Sequence, residues 1–270
     1  MTLTCASSPT CQKTIATTSA GGTPDEWFLF HPTQWPQGDW QPQHLQFTDV
    51  FFNAEDGTNL HGWYCPVEEP NAVILFAHGN AGHLAHRSWL LQFLTTELQV
   101  SVMIFDYRGY GRSDGTATVE GVLQDARAAR THLARQAGIQ ESEIVLMGRS
   151  LGGAVMVQLA SEAPPRGLIL ESTFSSLRDV ADALAPNLAW IVPEGKLDSA
   201  SSIQSYQGPL LQSHGDADQT IPYASGRKLY DAAAGPKEFV IIAGGDHNDG
   251  QGGPYYEKLL AFLHGLPSSP

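Results

Sequence analysis

The chain has 270 residues and a formal net charge of −13; 42% of its residues are hydrophobic and 16% are charged. This length and composition are typical of one globular domain with a sizeable core. The acidic balance argues against nucleic acid and anionic membranes as partners, because both attract proteins through Lys and Arg. No apolar run approaches the roughly 20 residues of a membrane-spanning helix, so we expect no membrane span.

The first 24 residues predict a disordered tail. They are rich in Thr, Ser and Ala and lack the apolar stretch of a secretory signal peptide. The three cysteines, Cys5, Cys11 and Cys65, are an odd number, which does not favour a disulfide framework and indicates a reducing compartment. We therefore expect a cytoplasmic protein in which residues 25–270 form a single domain.

Strand and helix patterns alternate along the rest of the chain. After an irregular segment from Trp27 to Trp40, two strand patterns flank a hairpin signal at Glu55-Asp56-Gly57. The predicted strands are Leu45–Phe52, Asn59–Cys65, Val73–Ala77, Val100–Phe105, Ile144–Met147, Gly167–Glu171, Pro209–Ser213 and Glu238–Ile242. The predicted helices are Arg87–Leu98, Val119–Ala137, Leu151–Glu162 and Tyr255–Leu263. This alternation indicates an α/β fold with a mostly parallel, doubly wound sheet.

The sequence Gly148-Arg149-Ser150-Leu151-Gly152 lies between a strand pattern and a helix pattern. In that context G-x-S-x-G is a nucleophile elbow, in which a sharp turn holds the serine in a strained conformation and the glycines prevent a clash between strand and helix. The serine then lies at a helix N-terminus, where free N–H groups favour developing negative charge. Ser150 is therefore the candidate nucleophile.

A serine hydroxyl needs a base and an acid to become a good nucleophile. Candidate acids follow the strand Pro209–Ser213 at Asp216 and Asp218, and the candidate base His247 follows the strand Glu238–Ile242. All of them lie past the carboxyl end of a predicted parallel strand, where open α/β sheets bind ligands. Glu171 ends another strand on the same side and is a rival for the acid.

A glycine-rich loop, His78-Gly79-Asn80-Ala81-Gly82, follows the strand Val73–Ala77. Glycine lets a backbone approach a substrate oxygen closely. We expect the backbone N–H groups of Asn80 and Leu151 to form an oxyanion hole for a tetrahedral intermediate.

Together with Phe105-Asp106-Tyr107-Arg108-Gly109-Tyr110-Gly111-Arg112-Ser113, these motifs resemble the α/β-hydrolase superfamily from about Phe28 to Leu263. Within the superfamily the chain is similar to the Bem46-like branch and its eukaryotic ABHD relatives. That group includes enzymes that remove palmitate from proteins.

The resemblance implies a triad of Ser150, Asp218 and His247. The family pattern selects Asp218 because it places the acid four residues after His214, although Asp216 and Glu171 remain weaker alternatives. His214, His78 and His83 are then expected to be structural. We expect Arg108 and Arg149 to pair with carboxylates beneath the site, such as Asp106 or Glu171, and to hold loops in place.

The stretch from Ser172 to Gln207 departs from the strand–helix alternation, and Pro186 and Pro193 interrupt its helical pieces. In α/β hydrolases this connection carries a cap, and residues 172–207 allow only a small one. Four of its apolar residues are candidates for an acyl pocket: Leu184, Trp190, Ile191 and Val192. That they merely pack the cap on the body is equally compatible with the sequence.

The predicted reaction is hydrolysis of an ester or thioester through an acyl-enzyme, without a cofactor and without a metal, since the histidines show no metal-ligand spacing. No basic cluster is expected near the catalytic loops, so the predicted partner is a small-molecule ester or acylated substrate with a neutral short-to-medium acyl group. The same fold also hosts slow-turnover ligand receptors, acyltransferases and protein depalmitoylases, which remain alternatives.

Overall fold

The computed structural model describes Thr23, Glu26 and residues 29–267. The predicted tail therefore lies outside the described residues, Thr23 apart, as do Cys5 and Cys11. An eight-stranded sheet runs through the described part. Its strands are β1 (Thr48–Asn53), β2 (Asn59–Cys65), β3 (Ala72–Ala77), β4 (Val100–Phe105), β5 (Val145–Arg149), β6 (Gly167–Glu171), β7 (Leu210–Gly215) and β8 (Lys237–Ile242).

Helices connect most of these strands. From residue 48 onward the α-helices are α1 (Ser88–Thr96), α2 (Val119–Ala137), α3 (Leu151–Glu162), α4 (Leu177–Leu184), α5 (Ser199–Ser202), α6 (Tyr223–Ala232) and α7 (Gly253–Gly265). All predicted strands and helices are present, and most of their ends differ from the predicted ones by a few residues. Helix α6 was not predicted from the sequence.

The strand order across the sheet is β8-β7-β6-β5-β3-β4-β2-β1. Strand β2 runs antiparallel to both β1 and β4, and the other neighbours are parallel. The mostly parallel, doubly wound sheet predicted from the sequence is therefore confirmed. The strand order reverses at β3, whose last residue Ala77 pairs with Gly148 of β5. Open α/β sheets bind ligands beside such a reversal.

Helices cover both faces of the sheet, which explains why β4 and β6 have no exposed residue. On one face α2 and α3 contribute Val122, Ala126, Val155 and Leu159 to a core cluster. On the other face α1 and α7 contribute Leu91, Leu94, Leu259 and Leu263 to a second cluster. The sheet thus separates two cores and holds its strand ends rigidly.

Helix α2 illustrates how the sequence sets these elements. The Thr118 side chain caps its first turn by accepting a hydrogen bond from the Gly121 N–H. It ends at Gly138, which has φ +69°, a left-handed conformation that glycine adopts without strain. These two signals fix both ends of the helix where the periodic pattern predicts them.

The segment before β1 is tied to the glycine-rich loop. His31–Pro32 pairs in parallel with Ala81–Gly82, and Gln34 forms a bridge with Gly111. Trp27 and Phe28 lie outside the described residues. This part of the chain therefore braces the loop that follows β3.

Cys65 in β2 is a free thiol within the buried core, and burial raises its pKa to about 12. Within the residues that the structure describes, no helix is both long and apolar enough to cross a membrane.

Candidate catalytic site

Ser150 occupies a strained turn between β5 and α3. Its backbone has φ +56° and ψ −121°, a region that residues with a side chain rarely adopt. A Cβ on Gly148 would overlap the Gly152 carbonyl, and one on Gly152 would overlap the Ala77 carbonyl. Glycine at both positions is therefore required for α3 to start directly above the strands.

The structure brings Ser150, His247 and Asp218 together. His247 Nε2 lies 3.1 Å from Ser150 Oγ, and His247 Nδ1 lies 2.8 Å from Asp218 Oδ2. A carboxylate only accepts hydrogen bonds, so Nδ1 carries the ring proton and Nε2 faces the hydroxyl with its lone pair. All three residues are at most 8% exposed, which strengthens these contacts by keeping water away.

Several donors hold Asp218 ionised. Its Oδ1 accepts hydrogen bonds from the N–H groups of Thr220 and Ile221 at 2.9 and 2.8 Å. Burial alone would raise the pKa of Asp218, but contacts with His214 and His247 and the Ile221 N–H hold it well below its ordinary value. His214 Nε2 also lies 2.9 Å from the Ile221 carbonyl, which it binds as a donor, a structural contact.

The two rival acids are engaged elsewhere. Asp216 Oδ1 accepts a hydrogen bond from the Gly244 N–H at 2.6 Å. Glu171 is buried and accepts a hydrogen bond from the Tyr255 hydroxyl at 2.6 Å. Burial raises the pKa of Glu171. The geometry therefore favours Asp218 as the partner of His247.

Backbone contacts fix the loop that carries His247. The carboxylate of Asp246 accepts hydrogen bonds from the N–H groups of His247 and Gln219, which joins this loop to the Asp218 loop. Arg149 Nη2 donates to the carbonyls of His247 and Asp249 at 2.7 and 3.3 Å. Among the described residues Arg149 has no carboxylate within ion-pair distance and its hydrogen bonds go to loop carbonyls, but its charge acts on the expected partner Glu171, where it opposes the effect of burial on the pKa.

Arg108 pairs with carboxylates as expected, but its partners are not the expected ones. It forms ion pairs with Asp125 and Asp56 rather than with Asp106 or Glu171. Its Nε and Nη2 both donate to Asp125 Oδ1, at 2.9 and 2.7 Å. Arg108 thus fixes the loop after β4 to helix α2, since Asp125 lies within that helix.

The glycine-rich loop passes directly beside the serine. A Cβ on Gly79 would lie 3.4 Å from Ser150 Cβ and 3.9 Å from its Oγ. The His78 ring nitrogen Nδ1 lies 2.7 Å from the Gly79 carbonyl and donates to it. In a trans peptide the N–H points opposite to the carbonyl, so this bond also fixes the direction of the Asn80 N–H.

Two tyrosines that the sequence analysis gave no role hold the same loop. The Tyr107 hydroxyl donates to the His78 carbonyl, and the Tyr110 hydroxyl donates to the Asn80 carbonyl, both at 2.7 Å. Both tyrosines lie in the loop that follows β4, and both are fully buried. The sequence motif that contains them, residues 105–113, indicated only a family resemblance. The local sequence does not show which distant carbonyl a tyrosine hydroxyl will bind.

Leu151 is the first residue of α3, so its N–H has no acceptor within the helix. Asn80, Ser150 and Leu151 all line one cavity of about 410 Å³. We call this space the apolar cavity. The two residues whose N–H groups are the proposed oxyanion donors, Asn80 and Leu151, therefore line it together with Ser150.

The segment 172–207 supplies most of the remaining wall. Helix α4 is capped by Ser176, and its Leu177, Val180, Ala181 and Leu184 face the cavity at the i, i+3, i+4, i+7 spacing of one helix face. Ile191 and Val192 line it as well. Trp190 does not, contrary to the prediction: it is 72% exposed and its indole N–H donates to the Asn187 carbonyl.

Known proteins resemble the chain at both sequence and structure level. A family model described as serine aminopeptidase S33 matches residues 68–205. The uncharacterized protein YfhR of Escherichia coli (strain K12) is 32% identical over 255 residues, covering 87% of this chain and 86% of that protein. The α/β-hydrolase domain-containing protein WAV2 of Arabidopsis thaliana is 33% identical over 247 residues, covering 82% and 79%.

Solved esterase structures share the fold. The Pyrococcus furiosus esterase Pf2001 superposes with a TM-score of 0.69 at 18% identity, covering 87% of this chain and 99% of that one. An esterase domain from a Rhodothermus marinus protein gives a TM-score of 0.64 at 23% identity, covering 82% and 99%. At these identities the likeness is one of fold.

We predict that Gly148→Ala destabilises the protein by about 1–3 kcal/mol, because the added Cβ overlaps the Gly152 carbonyl and forces the elbow to shift. Gly265→Ala is the matched control, since a Cβ there meets nothing within 4 Å. Urea unfolding followed by circular dichroism measures both. Equal stability of the two variants would contradict the steric account of the elbow.

We predict that Tyr110→Phe lowers kcat for a p-nitrophenyl ester about tenfold with little change in KM. The Asn80 carbonyl loses one hydrogen bond, so the adjacent N–H donor is held less firmly, at part of the cost of deleting an oxyanion donor. Tyr206→Phe is the control: this buried hydroxyl donates to the Pro209 carbonyl instead. Similar kinetics in both variants would show that Tyr110 does not position the loop.

Proposed function

The chain belongs to the α/β-hydrolase superfamily, and from that premise we propose that it is a serine hydrolase for carboxylic esters or thioesters with neutral short-to-medium acyl groups. The observation that carries this proposal is the Ser150–His247–Asp218 hydrogen-bond chain at the floor of the apolar cavity. A chain of ionised acid, oriented imidazole and serine hydroxyl is what acyl transfer requires.

In the first half of the proposed reaction, Ser150 Oγ attacks the acyl carbonyl carbon. His247 Nε2 takes the hydroxyl proton, and the negative charge of Asp218 stabilises the imidazolium that forms. The tetrahedral intermediate collapses when His247 gives its proton to the leaving alcohol or thiol. Water then attacks the acyl-enzyme by the same sequence, which releases the acid and restores Ser150.

The proposed oxyanion hole consists of the N–H groups of Asn80 and Leu151. Three observations support this assignment. Gly79 brings the loop to within contact of Ser150, His78 orients the Asn80 peptide, and Leu151 has the free N–H of a helix start. Donors held in place before the reaction stabilise the oxyanion without the cost of reorganisation.

The apolar cavity supports the choice of acyl group. The described residues that line it include no Asp, Glu, Lys, Arg or His. A charged acyl group entering this cavity would lose its hydration without gaining a partner, at a cost of several kcal/mol. We propose that residues 172–207 act as a cap and that Leu184, Ile191 and Val192 contact the acyl chain.

The same lining argues against release of N-terminal amino acids, despite the description of the matching family. An aminopeptidase must bind a protonated α-amine, which needs a carboxylate or a set of carbonyls near the scissile bond. The residues described around the apolar cavity provide no such carboxylate. Esters are therefore the better proposal.

We predict that Asp218→Asn lowers kcat about 10⁴-fold, because the amide favours the wrong tautomer of His247 and cannot stabilise the imidazolium. Asp216→Asn and Glu171→Gln are matched carboxylate controls and are expected to cost tenfold at most, since their partners are Gly244 and Tyr255. Steady-state kinetics with one ester would decide. A larger loss in Glu171→Gln would move the acid to β6.

A second prediction uses acyl chain length as the probe. Each CH₂ that enters the apolar cavity contributes up to about 0.8 kcal/mol, so kcat/KM of p-nitrophenyl esters should rise with chain length and then fall. Ala181→Phe fills the cavity wall and should move the optimum to a shorter chain. Trp190→Ala lies outside the cavity and should leave the optimum in place. A flat profile from acetyl to palmitoyl would contradict the acyl-pocket assignment.

A further inference from the structure

A second cavity, of about 340 Å³, opens on the α1 and α7 face of the sheet. Its walls come from helices α1 and α7, the turn before α1, the ends of β3, β5 and β6, and the loop after His247. The side chains used below are Arg87, Trp89, Phe93, Arg149, Glu171 and Gln251. Ser150, Asn80 and Leu151 line the apolar cavity and not this one, so the two spaces are distinct.

Two arginines meet at this second cavity. Arg149 ends β5, and Arg87 follows the glycine-rich loop after β3, the strand that pairs with β5. Burial first, and then the like charge of Arg149, lower the pKa of Arg87. Both guanidinium groups line this one cavity. This corrects the expectation that no basic cluster stands near the catalytic loops.

Neither guanidinium is neutralised by an ion pair. Arg87 Nη2 donates to the Ala81 carbonyl at 3.2 Å, and its buried Nε has no acceptor among the described residues. The Nη2 of Arg149 donates to the carbonyls of His247 and Asp249. Within the described part of the chain, no carboxylate lies within ion-pair distance of either side chain. Two guanidinium groups without an ion pair among the described residues therefore line one cavity in a chain whose net charge is −13.

Glu171 is the carboxyl group that shares this cavity. Burial raises its pKa, and its Oε1 accepts a hydrogen bond from the Tyr255 hydroxyl. Even when ionised, one carboxylate offsets only one of the two guanidinium charges. The cavity therefore keeps a net positive charge.

We propose that the second cavity binds a small soluble molecule through a phosphate group held between Arg87 and Arg149. A guanidinium group can donate two parallel hydrogen bonds to two phosphate oxygens. The two negative charges of a phosphate dianion balance the two positive charges of the arginines. Trp89 and Phe93 add aromatic wall beside them, which favours a ligand with a flat apolar body. The overall negative charge of the chain disfavours an anionic membrane surface as the source of the phosphate.

The position of Arg149 gives the ligand a route to the catalytic loop. The guanidinium group that would bind the phosphate also holds the His247 carbonyl, through Nη2 at 2.7 Å. Occupancy would change how firmly the loop is held, without competing for the apolar cavity. This effect on hydrolysis rests on the proposed function, whereas binding itself does not and is tested without any ester.

The test measures binding of phenyl phosphate and of inorganic phosphate to the full chain by isothermal titration calorimetry, at constant ionic strength set with NaCl. We expect saturable binding, tighter for phenyl phosphate. Arg87→Gln should raise Kd at least tenfold, because one of the two charged forks is lost. Arg166→Gln is the matched control, since this arginine does not line the second cavity and donates to the Pro267 carbonyl. Its Kd should equal that of the unchanged chain.

A second variant guards against misfolding of Arg87→Gln. Leu90→Glu places a carboxylate in the same cavity and should weaken phenyl phosphate binding at least as much. Equal affinity in the unchanged chain, Arg87→Gln and Leu90→Glu would overturn the proposal. Tighter binding of benzoate than of phenyl phosphate would overturn the phosphate assignment, and tighter binding of phosphatidic acid vesicles would overturn the soluble ligand.

Discussion

The close approach of helix α3 to strands β3 and β5 is the constraint on which the rest of the site depends. Ser150 accepts a left-handed backbone conformation, at a cost of about 1–3 kcal/mol, because the surrounding structure leaves no alternative. Its N–H donates to the Glu171 carbonyl at 2.9 Å, and its carbonyl accepts from the Thr173 hydroxyl at 2.7 Å. These bonds to the last residue of β6 and to the second residue beyond it fix the turn from one side, while Gly148 and Gly152 make room on the other.

The other groups of the site, namely Asp218, His247 and the glycine-rich loop, follow the ends of other strands of the same sheet. The parallel strands β3, β5, β7 and β8 all finish at the same edge of the sheet, and a short loop follows each one. Hydrogen bonds between these loops fix the positions of the Asp218 and His247 side chains relative to Ser150. Asp246 binds the N–H of Gln219, and Arg149 binds the carbonyl of His247. The rigid sheet thus converts a separation of 97 residues between Ser150 and His247 into one hydrogen bond.

The sequence was sufficient for features that depend on local patterns. The strands, the four helices α1, α2, α3 and α7 and the elbow could be predicted, because periodicity, caps and glycine spacing act over a few residues. The candidate triad followed from strand ends and family pattern together. Helix α6 escaped prediction because its apolar residues are few and Gly226 interrupts them.

Features that depend on spatial neighbours could not be predicted in the same way. Trp190 was predicted in the pocket, but it lies in a short 3₁₀ turn whose geometry directs it outward while Ile191 lines the cavity. The roles of Tyr107 and Tyr110 depend on carbonyls about 30 residues away. Arg87 and Arg149 line one cavity because β3 and β5 are neighbours in the sheet. The order of strands in the sheet could not be read from the spacing of the two arginines in the sequence.

Whether Ser150 is the residue that forms the proposed acyl-enzyme can be tested by covalent trapping. A fluorophosphonate probe forms a stable bond with an activated serine, and mass spectrometry of the digested protein then locates the adduct. We expect one modified peptide, carrying the adduct on Ser150, and no modification in Ser150→Ala. An adduct on another serine, or undiminished labelling of Ser150→Ala, would contradict this role of Ser150.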